Sequence, residues 1–441
     1  MAFMKQPIQD FWRKKNNVFA VSYPSRVMCR ERFRTILWNV HPSDPEADKE
    51  NDQKKGTPDH DKLFRVKPLL DDLRTACRAY YVPEQALSVD ESMVPTKAKT
   101  GMTQYMKDKP IKWGMKLFVL AEARTGYQVA FDVYSGKAST PSVHGLSYDA
   151  VMNLVTAANL GTGYHIYMDN FYTSPTLLKA LVEKKYGACG TYRENRLGCP
   201  KDRANPLPRN ATRGEMRWLR EGPLLFVKWM DRKEINVLST IHKAGYDGCV
   251  DRKEKNPYRV VSIPCPASVK AYNQSMGGVD LADQLIQYHS SHRKVAKWYK
   301  TLFLHFVDIA ATNSFIIHKE LAQERSTVPK EHRAFLMELV TGLCGVEATA
   351  VPRQRFFNHL PMAICESINP PNNGKRCCVV CDPRIKAEWA RKSFTAATTS
   401  TTSFTATTTA STSSAAAATT TTIHPRNHPG HHHCNNVNVQ C

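Results

Sequence analysis

The sequence predicts an α/β protein: a mixed sheet covered by helices, interrupted by a β-rich insertion and flanked by further helices. Three observations predict it. After Pro83 the chain gives three strand-like segments, then a helical period, a strand, a second helical period and a strand. Between about 197 and 262 only short strands separated by turns follow. The segments before Pro83 and after Gly277 carry apolar residues at helical spacing.

Residues 1–82 read as a helical region. Arg30–Leu37 and Leu69–Tyr80 are the helices, and the Asp-, Pro-, Lys- and Gly-rich stretch His41–His60 between them reads as an exposed loop. The first part of the core spans 83–196. Leu87–Val94 alternates as a half-buried strand, with Ser88, Asp90 and Ser92 on the polar face. Lys112–Ala121 and Gln128–Tyr134 are strands joined at Arg124–Gly126, and Trp113, inside the first of them, reads as core. Ser147–Asn159 is a helix capped by Ser147. Tyr164–Asn170 returns to strand with Asp169 at its polar end, Pro175–Lys184 to helix, and Ala188–Tyr192 to strand. This is the element order of an RNase H-like core. In the insertion, 197–262, Met216–Leu219, Leu224–Trp229 and Ile235–Ser239 are the short strands. Residues 263–345 hold the rest of the core: a helix after Gly277-Gly278, a long helix to about Gln323, and one over Lys330–Leu343. Residues 346–394 read as a linker with a truncated Cys-rich segment. Thr395–Thr422 is uncharged and nearly all Thr, Ser and Ala, so 395–441 is expected to be disordered.

The densest chemistry lies in Met276–Lys300. Asp280 and Asp283 are three residues apart, on one helix face, and are read as lying within a turn or so of the basic run His292, Arg293, Lys294 and Lys297. Carboxylates beside a basic track suit metal-dependent phosphoryl transfer on nucleic acid, where acids hold Mg²⁺ and bases hold phosphates. The same spacing also suits a plain amphipathic helix with acids in its first turn. Two strand-end acids, Asp90 and Asp169, with a helix acid make the set from which a two-metal nuclease site is built. Basic residues mixed with aromatics, Lys109, Lys112 and Lys116 near Trp113 and Arg293, Lys294, Lys297 and Lys300 around Trp298 and Tyr299, read as DNA contacts. Arg193–Arg220 reads equally as a DNA-facing stretch or a solvated face.

Composition agrees. Among 441 residues, 61 Lys and Arg stand against 40 Asp and Glu, a net charge of +21, which points to a polyanionic partner. The 13 Cys are scattered and MAFMKQPIQDFWRKK has no apolar core of a secretion signal, so reduced thiols inside the cell are expected. Leu302–Ile317 is apolar but broken by His305, Asp308 and Asn313, which argues against a membrane span.

Several blocks together carry a resemblance: VDESMV around Asp90, KPIKWGMK at Lys109–Lys116, DNFYTSPTLLKAL from Asp169, GTYRENR at Gly190–Arg196, YNQSMGGVDLADQ at Tyr272–Gln284, and TLFLHFVDIAATNSFIIHKEL after it. In order and spacing they resemble the signature blocks of piggyBac transposases and piggyBac transposable element-derived proteins, over roughly residues 10 to 320. The resemblance implies an RNase H-like DDE/DDD transposase core and metal-dependent cut-and-paste DNA transposition at TTAA targets through hairpin-ended intermediates. It places the catalytic, metal-binding acids on Asp90, Asp169 and Asp280, with Asp283 in support. Asp90 is expected to bridge two Mg²⁺ or Mn²⁺ ions, with Asp169 on one and Asp280 on the other; Glu91, on the opposite strand face, is left out. DNA is the expected partner, a homodimer the expected assembly, with no membrane, and the nucleus the expected location. The alternative is a domesticated or decayed transposase-derived protein that binds DNA without transposing.

Two departures stand out. Pro95–Thr103 replaces a turn that usually contains Gly-Arg in the family. Cys377, Cys378 and Cys381 fall where the family has a zinc-binding, end-recognising domain, but no further ligands follow at zinc spacing, so zinc is not expected.

Overall fold

The computed structural model describes residues 6–13, 21–107, 109–136, 142–200, 206–255 and 258–345. The chain divides into two units, Met1–Val27 with Val40–Gln354 and Met28–Asn39 with Arg355–Cys441. The described part of the second is helix α2 (Arg30–Asn39), after the short α1 (Ser22–Val27) of the first. The Cys377–Cys381 segment and the 395–441 tail lie outside the described residues.

The stretch read as an exposed loop contains a helix, α3 (Pro45–Gln53). Its start is an N-cap: the Asp44 carboxylate accepts from the Glu46 amide and Pro45 takes the first helical position. Pro and Asp break a helix from within but here begin one. Helix α4 (Lys67–Ala79) buries Leu70, Leu73 and Cys77.

The core strands are β1 (Ala86–Pro95), β2 (Thr103–Tyr105), β3 (Trp113–Glu122), β4 (Gln128–Val133), β5 (His165–Met168) and β6 (Gly187–Thr191). Helix α5 (Leu146–Ala158) links β4 to β5, and α6 (Pro175–Glu183) links β5 to β6. Helix α5 takes Gly145, at φ +92°, as its N-cap, two residues before the Ser147 cap expected. The insertion gives β7 (Met216–Glu221), β8 (Leu224–Met230), β9 (Glu234–Ser239), β10 (Tyr246–Lys255) and β11 (Tyr258–Pro266). Helices α7 (Ala267–Ser275), α8 (Gly278–Tyr288), α9 (Trp298–Glu324) and α10 (His332–Leu343) follow.

The insertion strands do not form a separate layer. One nine-stranded sheet runs β2-β3-β1-β5-β6-β9-β8-β7, with β4 pairing β3 beyond β2, and β10-β11 form a separate hairpin. Strand β1 is antiparallel to β3 and parallel to β5, β5 is parallel to β6, and β9 joins β6 antiparallel. This mixed sheet, with helices on both sides, is the RNase H-like α/β core.

Both faces of the sheet are covered. On one, Leu87, Val89 and Ile166 pack against Val151 and Leu154 of α5 and Leu177 and Leu181 of α6. On the other, Val94, Met115, Val119 and Phe131 pack against α4, α8 and α9 through Leu70, Val279 and Phe306. This corrects the half-buried reading of β1: Ser88 and Ser92 are buried too, because α8 lies over them. Trp113 is also corrected. At the mouth of β3 it is 61% exposed and leans on Tyr105.

Helix α9 is, among the described residues, long and apolar enough to cross a membrane, yet 56% of its most apolar window is buried inside the protein. Its polar residues make specific bonds. Asp308 accepts from the Ser290 hydroxyl and the Ser291 amide, both at 2.8 Å, tying down the α8–α9 connection. Asn313 serves β4: its Oδ1 accepts from the Gln128 amide at 3.0 Å and its Nδ2 donates to the Gln128 carbonyl at 3.0 Å. A side chain thus stands in for a neighbouring strand. Asn313→Leu should cost about 2–3 kcal/mol, since it strands two buried backbone groups. Urea denaturation would check it; an unchanged midpoint would mean water replaces the amide.

Candidate active site

Register brings the first two acids together. Val89 of β1 pairs in parallel with Met168 of β5, so Asp90 and Asp169 are the next residues on adjacent strands. Asp169 ends its strand in a turn, its carboxylate accepting from the Phe171 amide at 2.9 Å. Gly190 on β6 makes room for that turn: a Cβ there would clash with the Met168 carbonyl and the Thr173 hydroxyl.

Helix α8 supplies the other two. Its first residue, Gly278, sits directly on the sheet, where a Cβ would meet the Ser88 hydroxyl at 2.5 Å and the Glu122 carbonyl at 2.6 Å. Asp280 follows in the first turn, with its own side chain exposed. One turn on, Asp283 accepts a 2.7 Å hydrogen bond from the Ser92 hydroxyl. Ser88, Asp90 and Ser92 share one face of β1, so the helix crosses the face that bears Asp90.

A lysine completes the group. Lys109 Nζ lies 2.8 Å from Asp90 Oδ2, with both side chains mostly buried. Its charge also acts on Asp169 and Asp283, and Asp280 acts on it. Burial pushes the Asp90 carboxyl up to about 8, against the pull of Lys109. Burial lifts Asp283 to about 6, opposed by the Ser92 bond, and raises Asp169 together with the Glu91 charge. Desolvated carboxylates that resist ionisation are groups that gain from a cation.

The donors are all hard oxygens, the type Mg²⁺ and Mn²⁺ prefer. As they stand, no three His, Cys, Asp or Glu among the described residues are grouped to hold a metal ion. The Lys109 ammonium is the cation in the cluster. The acid set fits a divalent ion in its chemistry, with Lys109 as the stand-in charge.

Other predicted residues separate. Lys116 is corrected as a DNA contact: it is buried, 2.9 Å from Glu91 Oε1 on the face away from α8, and it lies 4.7 Å from the Phe171 ring centre. Lys300 is likewise buried, near the Tyr299 ring. Lys112, Lys294 and Lys297 are exposed. Arg293 is half-buried over Phe11 and donates to the Gln6 carbonyl at 3.1 Å. Lys297 and Trp298 line a cleft of about 660 Å³ with Lys62, Arg65 and Lys99. A second cleft, of about 640 Å³, opens beside Asp283 and Ser92 and is lined by Ile111, Arg293 and His305. Sequence reasoning missed Ser92 and the pairing role of Lys109. Ser92 was findable, two residues from Asp90 on the same strand face; the Lys109 contact crosses a loop and had no signal.

Residues 1–315 match the transposase family described as Transposase IS4. The chain belongs to that family, among its piggyBac members. The human PiggyBac transposable element-derived protein 3 is 29% identical over 320 residues, which is 70% of this chain and 51% of that protein. Human PiggyBac transposable element-derived protein 2 is 25% identical over 302 residues, 67% of this chain and 49% of the relative. The chain therefore spans about half the length of these curated relatives. A cryo-EM structure of the piggyBac transposase synaptic complex with hairpin DNA aligns with a TM-score of 0.64 at 25% identity, covering 78% of this chain and 68% of that one. The transposase family uses divalent metal in general.

Proposed function

We propose that this chain is a piggyBac-type DNA transposase core that cleaves and rejoins DNA strands at TTAA sites with Mg²⁺ or Mn²⁺, in the nucleus, as a homodimer. The observation that carries the reading is the Asp90–Lys109 ion pair at the end of β1, beside Asp169 on β5 and facing the helix that bears Asp280 and Asp283. The solved relative, a complex with hairpin DNA, supports DNA as substrate, as does the net charge of +21.

Asp90, Asp169 and Asp280 would hold two divalent ions, with Asp283 held against the sheet by Ser92. Bound metal would activate the attacking water or 3′-hydroxyl and stabilise the leaving oxygen. Asp90, flanked by β3 and β5, fixes the position of the group. Lys112, Lys294 and Lys297 supply exposed positive charge for the phosphate backbone.

A second reading, a transposase-derived DNA-binding protein without transposition, draws on the names of the human relatives, which are called transposable element-derived. Incubating the purified chain with Mn²⁺ and a nicked, TTAA-flanked duplex separates the two. Cleavage at the TTAA boundary is expected. Tight, salt-sensitive binding with no strand scission at any Mn²⁺ concentration would sink the transposase reading and leave the second.

A further inference from the structure

We infer that Lys109 is a resident counter-ion of the acid cluster: it neutralises the cluster in the metal-free protein and gives way when divalent metal enters. The inference rests on the metal-dependent reading above.

Asp90 and Asp169 stand at the adjoining ends of β1 and β5, Asp280 and Asp283 lie on α8 across the face that bears Asp90, and burial weighs against the charged forms of Asp90, Asp169 and Asp283. Lys109 relieves this. Its ammonium is 2.8 Å from Asp90 Oδ2, and its side chain is only 24% exposed. An ammonium in that place shares the oxygens that a metal would need. A divalent ion carries twice the charge and draws in several oxygens at about 2.0–2.1 Å, so it outcompetes a single ammonium.

The backbone allows the exchange. Lys109 is not part of a strand: it sits in the connection between β2 and β3, closed at its base by the Met106 amide donating to the Lys112 carbonyl at 2.9 Å. The loop can carry Lys109 away without breaking a sheet bond. The contrast is Lys116, the other lysine paired with an acid of β1. It lies within β3, paired to β1 and β4, and its ammonium is held between Glu91 and the Phe118 and Phe171 rings. Lys116 is a fixed structural ion; Lys109 is a displaceable one. Displaced, Lys109 stays near the rim of the site, where a phosphate can take it up.

The test is Mn²⁺ binding to the full chain, without DNA, by titration calorimetry. Lys109→Met removes a like charge from the site and should tighten Mn²⁺ binding about tenfold or more. It should also lower the melting temperature of the metal-free protein and enlarge the rise that Mn²⁺ gives. Lys116→Met should lower melting with or without metal and leave Mn²⁺ affinity within about twofold. If Lys109→Met binds Mn²⁺ no tighter than the wild type, the counter-ion role is wrong while the metal site stands. If neither protein binds Mn²⁺, the metal-dependent reading falls, and this one with it. Should Lys109→Met fail to fold, the wild type decides. Labelling of Lys109 by an amine-reactive reagent, read by mass spectrometry, should rise several-fold at saturating Mn²⁺. Equal labelling with and without metal would overturn the inference.

Discussion

Asp90→Asn is expected to abolish Mn²⁺-dependent cleavage of duplex DNA, by on the order of 10³-fold or more, while leaving the fold and DNA binding in place. The strand of Asp90 lies between β3 and β5, the preceding Val89 pairs with Met168 and so leads directly to Asp169, and Asp90 holds Lys109. Asn keeps the shape and the hydrogen bond from the Glu91 amide, which Asp90 Oδ1 accepts at 2.8 Å. What it loses is the charge that binds a metal. Circular dichroism should match the wild type, and a gel shift should show retention equal or slightly stronger, because one phosphate-repelling charge is gone. Cleavage within tenfold of wild type would remove Asp90 from the metal site. A lost fold would instead make it a structural partner of Lys109.

The parts of this site that the sequence makes legible are those set by local pattern. Asp90 and Asp169 fall in or just past strands whose Leu87 and Val89, and Ile166 and Met168, recur at every second position, and Asp280 and Asp283 fall on a helix with a clear apolar face. Strands β3, β5 and β6 and helices α5 and α6 are equally plain, since their apolar runs are bounded by Gly, Pro or Asn. What is hidden depends on distant pairing. Strands β10 and β11 include YDGCVDRKEK, which has no apolar alternation; they are held by each other and by ion pairs such as Arg213–Glu254 and Arg252–Asp231. Glu91 meets Lys116 only because β1 and β3 run antiparallel in that register. Burial of Ser88 and Ser92 depends on where α8 lands, which no property of β1 declares.

Where α8 lands is itself decided by one glycine, and its neighbour provides the control. Gly277 and Gly278 look alike in the sequence. A Cβ on Gly277 would meet nothing within 4 Å, and its φ of −80° suits any residue. A Cβ on Gly278 would meet the Glu122 carbonyl at 2.6 Å and the Ala123 Cα at 3.0 Å, both backbone, besides the Ser88 hydroxyl. Those atoms cannot rotate away, so α8 must lift from the sheet. Gly278→Ala should therefore cost about 1–3 kcal/mol of stability. The lift also moves Asp280 and Asp283 relative to Asp90 and strains the Ser92–Asp283 bond. A displacement of about 1 Å at a reacting centre costs on the order of 10²-fold in rate. Gly277→Ala should stay within about 0.5 kcal/mol of wild type and keep its activity. Urea denaturation and Mn²⁺-dependent cleavage measured on both variants check this. Equal behaviour of the two alanines would mean that α8 is not seated on β1 through Gly278, and that the acids owe their placement to something else.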